Sequence, residues 1–143
     1  MDVLGKVMRL EERIQIIPRR LLCDERGWFL KVITGKEEHL PRYTGEVYLT
    51  MAIPGQSKGG HFHRLANEWF TVIEGNSVLK LEDVDTHERM EIPLGFEDAL
   101  TVMVPSNVAH VFVNTGSSNS IVLAYTDQLY DPADTIAYSF DRC

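Results

Sequence analysis

Apolar residues in this chain fall in short runs broken by turn-forming residues, with no long stretch of helical periodicity. That pattern belongs to an all-β domain. Strands are predicted over residues 13–17, 28–33, 47–53, 68–73, 78–84, 101–104, 110–114 and 121–126. Between them lie Asp24-Glu25-Arg26-Gly27, Pro54-Gly55, Glu74-Gly75-Asn76, Pro105-Ser106-Asn107 and Thr115-Gly116-Ser117-Ser118-Asn119, each supplying residues that tight turns need. Only residues 36–40 and 131–134 read as locally helical. Strands without a helical layer must bury their apolar faces against one another, so the expected architecture is a closed barrel or two-sheet jelly roll.

Composition narrows the function more than the fold. At 143 residues, 44% hydrophobic and 24% charged, the chain is expected to be one globular domain, 1–143. A formal net charge of -7 and no basic stripe argue against a nucleic-acid partner, although single cations in a pocket would still hold an anionic small molecule. The first residues carry scattered charges and no apolar segment, and no run reaches membrane-spanning length. Cys23 and Cys143 form no disulfide framework. A cytoplasmic protein with free thiols and no membrane partner is expected.

The candidate chemistry sits in the histidines. In an extended segment His61 and His63 share one face. Glu68 opens the next strand, where a turn through residues 64–67 brings its carboxylate back toward the two imidazoles. His110, at the start of a later strand, offers a third. Three neutral imidazoles and a carboxylate suit zinc first, with iron, manganese, nickel and copper also compatible. One His-x-His alone is weak, but three of only five histidines fall in this arrangement. The other two, His39 and His87, lie in polar contexts and are expected at the surface.

These residues resemble the cupin superfamily, a jelly-roll β-barrel also called a double-stranded β-helix. Gly55, His61, His63, Glu68 and Gly75 match the fixed positions of its first motif, and Pro105, His110 and Asn114 match its second. Asn107 stands where that motif usually has Gly, and Asn tolerates the positive φ such a turn needs. Within the superfamily the chain is similar to the nucleotide-sugar group. Asp24-Glu25-Arg26-Gly27-Trp28-Phe29 and Tyr130-Asp131-Pro132 look like segments of the dTDP-4-dehydrorhamnose 3,5-epimerases. Over residues 23–137 it most resembles the C-terminal cupin domain of bifunctional capsular-polysaccharide enzymes that epimerise a UDP-4-keto-deoxysugar. Lys58-Gly59-Gly60-His61-Phe62-His63 also fits the metal-free dTDP-sugar 3,4-ketoisomerases.

The resemblance implies an isomerase inverting a centre beside the ketone of a nucleotide-linked 4-keto-deoxysugar, in surface-polysaccharide or deoxysugar biosynthesis. A 3,4-ketoisomerase, a metal-dependent dioxygenase and a non-catalytic sugar- or metal-binding cupin stand as alternatives. His61, His63, Glu68 and His110 are the expected metal ligands. His61 or His63 becomes the base if no metal is bound. The tyrosine that serves as acid in the rhamnose-pathway enzymes aligns with Ala124, and Tyr125 on the neighbouring position would face the other way. Tyr125 and Lys58 are carried as catalytic candidates, and Arg26, Tyr48, Lys80 and Asp127 as substrate-binding ones. The N-terminal segment, about 1–22, is expected to contribute a strand to a homodimer.

Overall fold

The computed structural model describes residues 8–40 and 45–140. A short helix, α1 (Leu10–Arg13), is followed by β1 (Gln15–Pro18), β2 (Leu21–Asp24), β3 (Gly27–Leu30), β4 (Val47–Ala52), β5 (Ser57–Phe62) and β6 (Glu68–Glu74). Then come β7 (Asn76–Asp83), β8 (Arg89–Gly95), β9 (Leu100–Val104), β10 (Val108–Val113), β11 (Ser120–Thr126), the 3-10 turn Pro132–Asp134 and β12 (Ile136–Ala137). Two antiparallel five-stranded sheets, β1-β9-β6-β11-β4 and β12-β5-β10-β7-β8, face each other as a jelly roll. The hairpin β2-β3 stands outside both.

Alternation decides which side chains meet. On β11, Val122 and Ala124 are buried while Ile121, Leu123 and Tyr125 face out and are half-buried. On β6, Phe70 and Val72 point inward, where they meet Leu79, Leu81, Phe112 and Val102 in the core. That core closes one end of the barrel. Its boundary with the other end is marked by His110, whose ring lies 5.0 Å from that of Phe70.

Edges and outer faces add detail to the sequence reading. Within the single chain β1 pairs with β9, Gln15 opposite Met103 and Ile17 opposite Thr101. Of the N-terminal stretch tied to dimerisation, residues 1–7 lie outside the described residues. No helix forms over 36–40, because Glu37 turns back to accept from the Thr34 and Gly35 main-chain N–H groups and pairs with Arg19 at 2.6 Å. That buried ion pair pins the loop beside β9, where Arg19 also donates to the Thr101 hydroxyl. The outer face of edge strand β4 has no such cover: Val47, Leu49, Met51 and Ile53 are 45–62% exposed. Cys23 is a free, exposed thiol, while Cys143 lies outside the described residues. Among the described residues no helix is long and apolar enough to cross a membrane.

Candidate metal centre in a barrel-mouth cavity

The site is built where β5, β6 and β10 meet. β5 carries Ser-Lys-Gly-Gly-His-Phe, a sequence with no apolar alternation. It is held as a strand by pairing on both sides, with β10 and with β12. His61 lies opposite His110, and the register slips just past that pair. Gly59 is what permits the slip: its φ is +101°, and a Cβ there would stand 2.9 Å from the His110 carbonyl oxygen. Across the mouth, Asn107 adopts φ 64° and donates its N–H to the His63 carbonyl at 2.7 Å. The departure from glycine is therefore accommodated as expected.

His61, His63, Glu68 and His110 converge so that one ligand atom from each lies within 4.8 Å of the others, the only such group of these residue types among the described residues. Glu68 and His110 are buried, His61 and His63 half-buried. Glu68 Oε2 accepts from the Tyr48 hydroxyl at 2.8 Å. Its Oε1 stands 2.8 Å from His63 Nε2 and 3.7 Å from His110 Nε2.

These contacts test whether the residues suit a cation. His63 Nδ1 donates to the Asp134 carbonyl at 2.8 Å, which in the neutral ring leaves Nε2 as a bare lone pair. Nε2 and Glu68 Oε1 are both buried, and neither makes a hydrogen bond of acceptable geometry. Two acceptors facing each other at that distance repel unless a proton or a metal ion lies between them. The donor set and its orphaned atoms fit a divalent metal.

Electrostatics divide the four residues. Burial pushes His110 down to about 4, against the pull of Glu68, so it is a neutral imidazole at neutral pH. Burial, and then the neighbouring His63, lowers His61 too. For His63 burial acts downward but is outweighed by Glu68 and Asp134, which raise it. Glu68 is held below the usual carboxylate range despite its burial, by His63, His110 and the Tyr48 hydroxyl. Burial and the Glu68 charge keep the Tyr48 phenol protonated far above its ordinary range.

A cavity of about 300 Å³ opens over this group. Its lining includes His61, His63, Glu68, Tyr48, Glu46 and Asp131, but not the buried His110. Of the other predicted residues the structure brings none into it. Tyr125 faces outward and packs on Trp69, ring centroids 5.7 Å apart. Lys58 is exposed on β5. Lys80 alternates with the core residues Leu79 and Leu81, so it points out and lies 3.9 Å from Glu91. Asp127 is occupied as a tether, accepting from the Asn67 main-chain and side-chain N–H groups at 2.9 Å. Arg26 sits in the β2-β3 turn with an 84% exposed side chain, paired with Asp24. None of the described residues lining the cavity is Lys or Arg, contrary to the expected cationic grip. His39 and His87 are exposed, as expected, and His87 lies 3.2 Å from Glu82.

Two features escaped the sequence reading. Asp134, read only as part of a helical turn, is buried and bonded to the loop after β5. Leu129 and Tyr130, both strongly exposed, form an apolar rim to the cavity. The Asp-Pro-Ala-Asp run marks the turn that places them, but nothing in it points to the site.

Comparison with known proteins places this geometry in context. A UDP-2-acetamido-2,6-beta-L-arabino-hexul-4-ose reductase from Pseudomonas aeruginosa is 26% identical over 116 residues, which cover 81% of this chain and 30% of that protein. The chain thus spans about a third of the length of this curated relative. Among solved structures, a dTDP sugar isomerase from Desulfovibrio desulfuricans superposes with a TM-score of 0.83 at 21% identity, covering 91% of this chain and 86% of that one. The capsular polysaccharide assembling protein CapF of Staphylococcus aureus matches at TM-score 0.65 and 27% identity, over 85% of this chain and 34% of its own. The jelly-roll fold expected from the cupin motifs is the one these structures share. The family model for the polysaccharide biosynthesis C-terminal domain matches residues 22–138, from the projecting hairpin through the last strand, and the chain belongs to that family.

Proposed function

We propose that this chain is a nucleotide-sugar isomerase that inverts the centre beside the ketone of a 4-keto-deoxysugar in polysaccharide biosynthesis, with a divalent metal held by His61, His63, Glu68 and His110. The observation that carries the reading is the four-residue cluster, of which His61, His63 and Glu68 line the cavity, with Nε2 of His63 and Oε1 of Glu68 orphaned against each other. The relatives, which include a UDP-hexulose reductase and a dTDP sugar isomerase, support the substrate class. A metal bound there would act as a Lewis acid on a carbonyl oxygen. Tyr48 donates a hydrogen bond to Glu68 and holds that carboxylate in place. Glu46 and Asp131 line the cavity and supply carboxylates able to exchange a proton with the carbon beside the ketone. The Leu129–Tyr130 rim offers an apolar surface for the nucleotide base.

A metal-free reading, closer to a 3,4-ketoisomerase, is favoured by one observation. His61 is half-buried, lines the cavity and is held neutral by burial, so it is competent to accept a proton at neutral pH.

Proton NMR in D2O with UDP- or dTDP-linked 4-keto-6-deoxyhexose tests both. Deuterium entering at C3, lost on chelation and restored by zinc, supports the metal-assisted epimerase. Exchange unaffected by chelation supports His61. No exchange with either substrate overturns the isomerase reading.

The protein works as a homodimer in this proposal, the second copy covering the outer face of β4. An edge strand with Val47, Leu49 and Met51 exposed on one face is an unstable surface for a lone chain in water. Light scattering is expected to give a dimer for the native chain and a monomer for Leu49→Lys. A native monomer would remove the dimer from the proposal.

A further inference from the structure

Asp134 lines the cavity and is bonded to the loop that follows two of the candidate ligands. It closes the 3-10 turn Pro132–Asp134, whose start is capped by the Asp131 carboxylate accepting from the Ala133 N–H at 2.9 Å. The side chain then reaches the loop between β5 and β6. Oδ1 accepts from the Arg64 and Leu65 N–H groups at 2.9 and 3.1 Å, and Oδ2 from Ala66 at 3.3 Å. Three consecutive main-chain donors converge on one buried carboxylate. The same residue's carbonyl oxygen accepts from His63 Nδ1 at 2.8 Å. Immediately beyond, Ile136 and Ala137 pair with Phe62 and His61, and the Tyr138 N–H donates to Gly60 at 2.8 Å.

We propose that Asp134 is a positioning residue for His63: its carboxylate fastens the C-terminal turn onto residues 64–66, so that its main-chain carbonyl fixes the Nδ1–H tautomer and presents Nε2 to the cavity. The chemistry requires both halves. A neutral imidazole free to choose would place its proton on Nε2, where Glu68 Oε1 stands 2.8 Å away, and would then have no lone pair for a metal. A carbonyl at Nδ1 reverses that preference, because a carbonyl accepts and never donates. Outer partners of this kind set both the tautomer and the orientation of ligating histidines. The carbonyl can do this only while the turn is held in place, and the three bonds to residues 64–66 hold it. This inference rests on the reading that His63 serves the cavity.

The test is long-range 1H–15N NMR of the histidine rings at pH 8.5, with zinc affinity measured calorimetrically. In the native chain His63 is expected as the Nδ1–H tautomer, and in Asp134→Ala as the Nε2–H form or a mixture. Zinc affinity is expected to fall about 10- to 100-fold. Asp134→Asn keeps an oxygen for Arg64 and Leu65, so it is expected to restore most of both properties. It also keeps the test open if the alanine variant does not fold. A native His63 protonated on Nε2, or an unchanged tautomer in Asp134→Ala, overturns the proposal. A tautomer that shifts as expected in a chain that never exchanges deuterium would retain the positioning role and discard the isomerase reading.

Discussion

Replacing Glu68 by Gln keeps the size of the side chain and removes the one anionic ligand of the cluster. With the amide oxygen accepting from Tyr48, the amide NH2 faces His63 Nε2 where a carboxylate oxygen stood at 2.8 Å. Structural zinc sites of four ligands are worth about 10–16 kcal/mol, so one ligand is worth about 3 kcal/mol, roughly 100-fold in affinity. Thermal unfolding turns this into a number. Zinc at about 100 times the native Kd stabilises the fold by about 2.7 kcal/mol, which raises the Tm of a domain this size by about 8 °C. At the same zinc concentration the Glu68→Gln chain sits near its own Kd, gains about 0.4 kcal/mol, and moves by about 1 °C. The measurement is a pair of calorimetric scans for each protein, with chelator and with zinc. Equal shifts in the two proteins would mean that zinc binds elsewhere. No shift in the native chain with zinc, iron(II), manganese or nickel would mean that the cluster is not a metal centre, and the His61 reading would take its place.

Tyr48→Phe leaves Glu68 Oε2 without its donor; deuterium exchange into substrate is expected to slow about 10- to 100-fold, with far-UV circular dichroism unchanged. Asn114→Ala removes three hydrogen bonds of a buried side chain, from the Gly116 N–H and to the Ala52 and Ser118 carbonyls, and is expected to cost about 2–4 kcal/mol in urea unfolding. Glu37→Gln tests the ion pair that pins the 31–40 loop. Burial works against ionisation of Glu37, but hydrogen bonds from the Thr34 N–H, its own N–H, the Thr34 hydroxyl and Arg19 hold it at about 2 against 4.5 when unfolded. A depressed carboxylate contributes stability that is fully present above the unfolded value and lost as pH falls through the folded one. The native chain should therefore exceed the variant by about 3 kcal/mol at pH 6, with the gap closing between pH 4.5 and 2.

Strands with apolar alternation were legible in the sequence, and those whose reason for existing is a neighbour were not. β11 follows from Val122 and Ala124 set between Ile121, Leu123 and Tyr125. The same alternation turns Tyr125 away from the cavity, as the structure confirms. β5 could not be read, since Ser-Lys-Gly-Gly-His-Phe becomes extended only because β10 and β12 hydrogen-bond to it. β8 was hidden by Pro93, which is tolerated because β8 is an edge strand. The ligand cluster was legible because its residue types are rare and its spacing is tight. The chemistry of Lys58, Lys80, Arg26 and Asp127, and the motifs around Lys58 and Arg26, do not place these side chains in the cavity. Which way each side chain points depends on register and on turns that residue type does not encode. Asp134 carries no local mark because its partners lie far back along the chain, in the loop after β5.

That long reach sets an order of events during synthesis. His61, His63 and Glu68 emerge together, and His110 follows once β10 is made, but the His63 ring has no Nδ1 partner until Asp134 has been translated and docked. Contacts between distant segments form late because their loop-closure entropy is met last. A partly made chain can therefore offer loose imidazoles to any cation in its surroundings, while the finished geometry exists only after the 132–134 turn docks. On the proposed metal reading, the ion acquired would then depend on which ions are present while the chain folds, and not only on the affinities of the completed site.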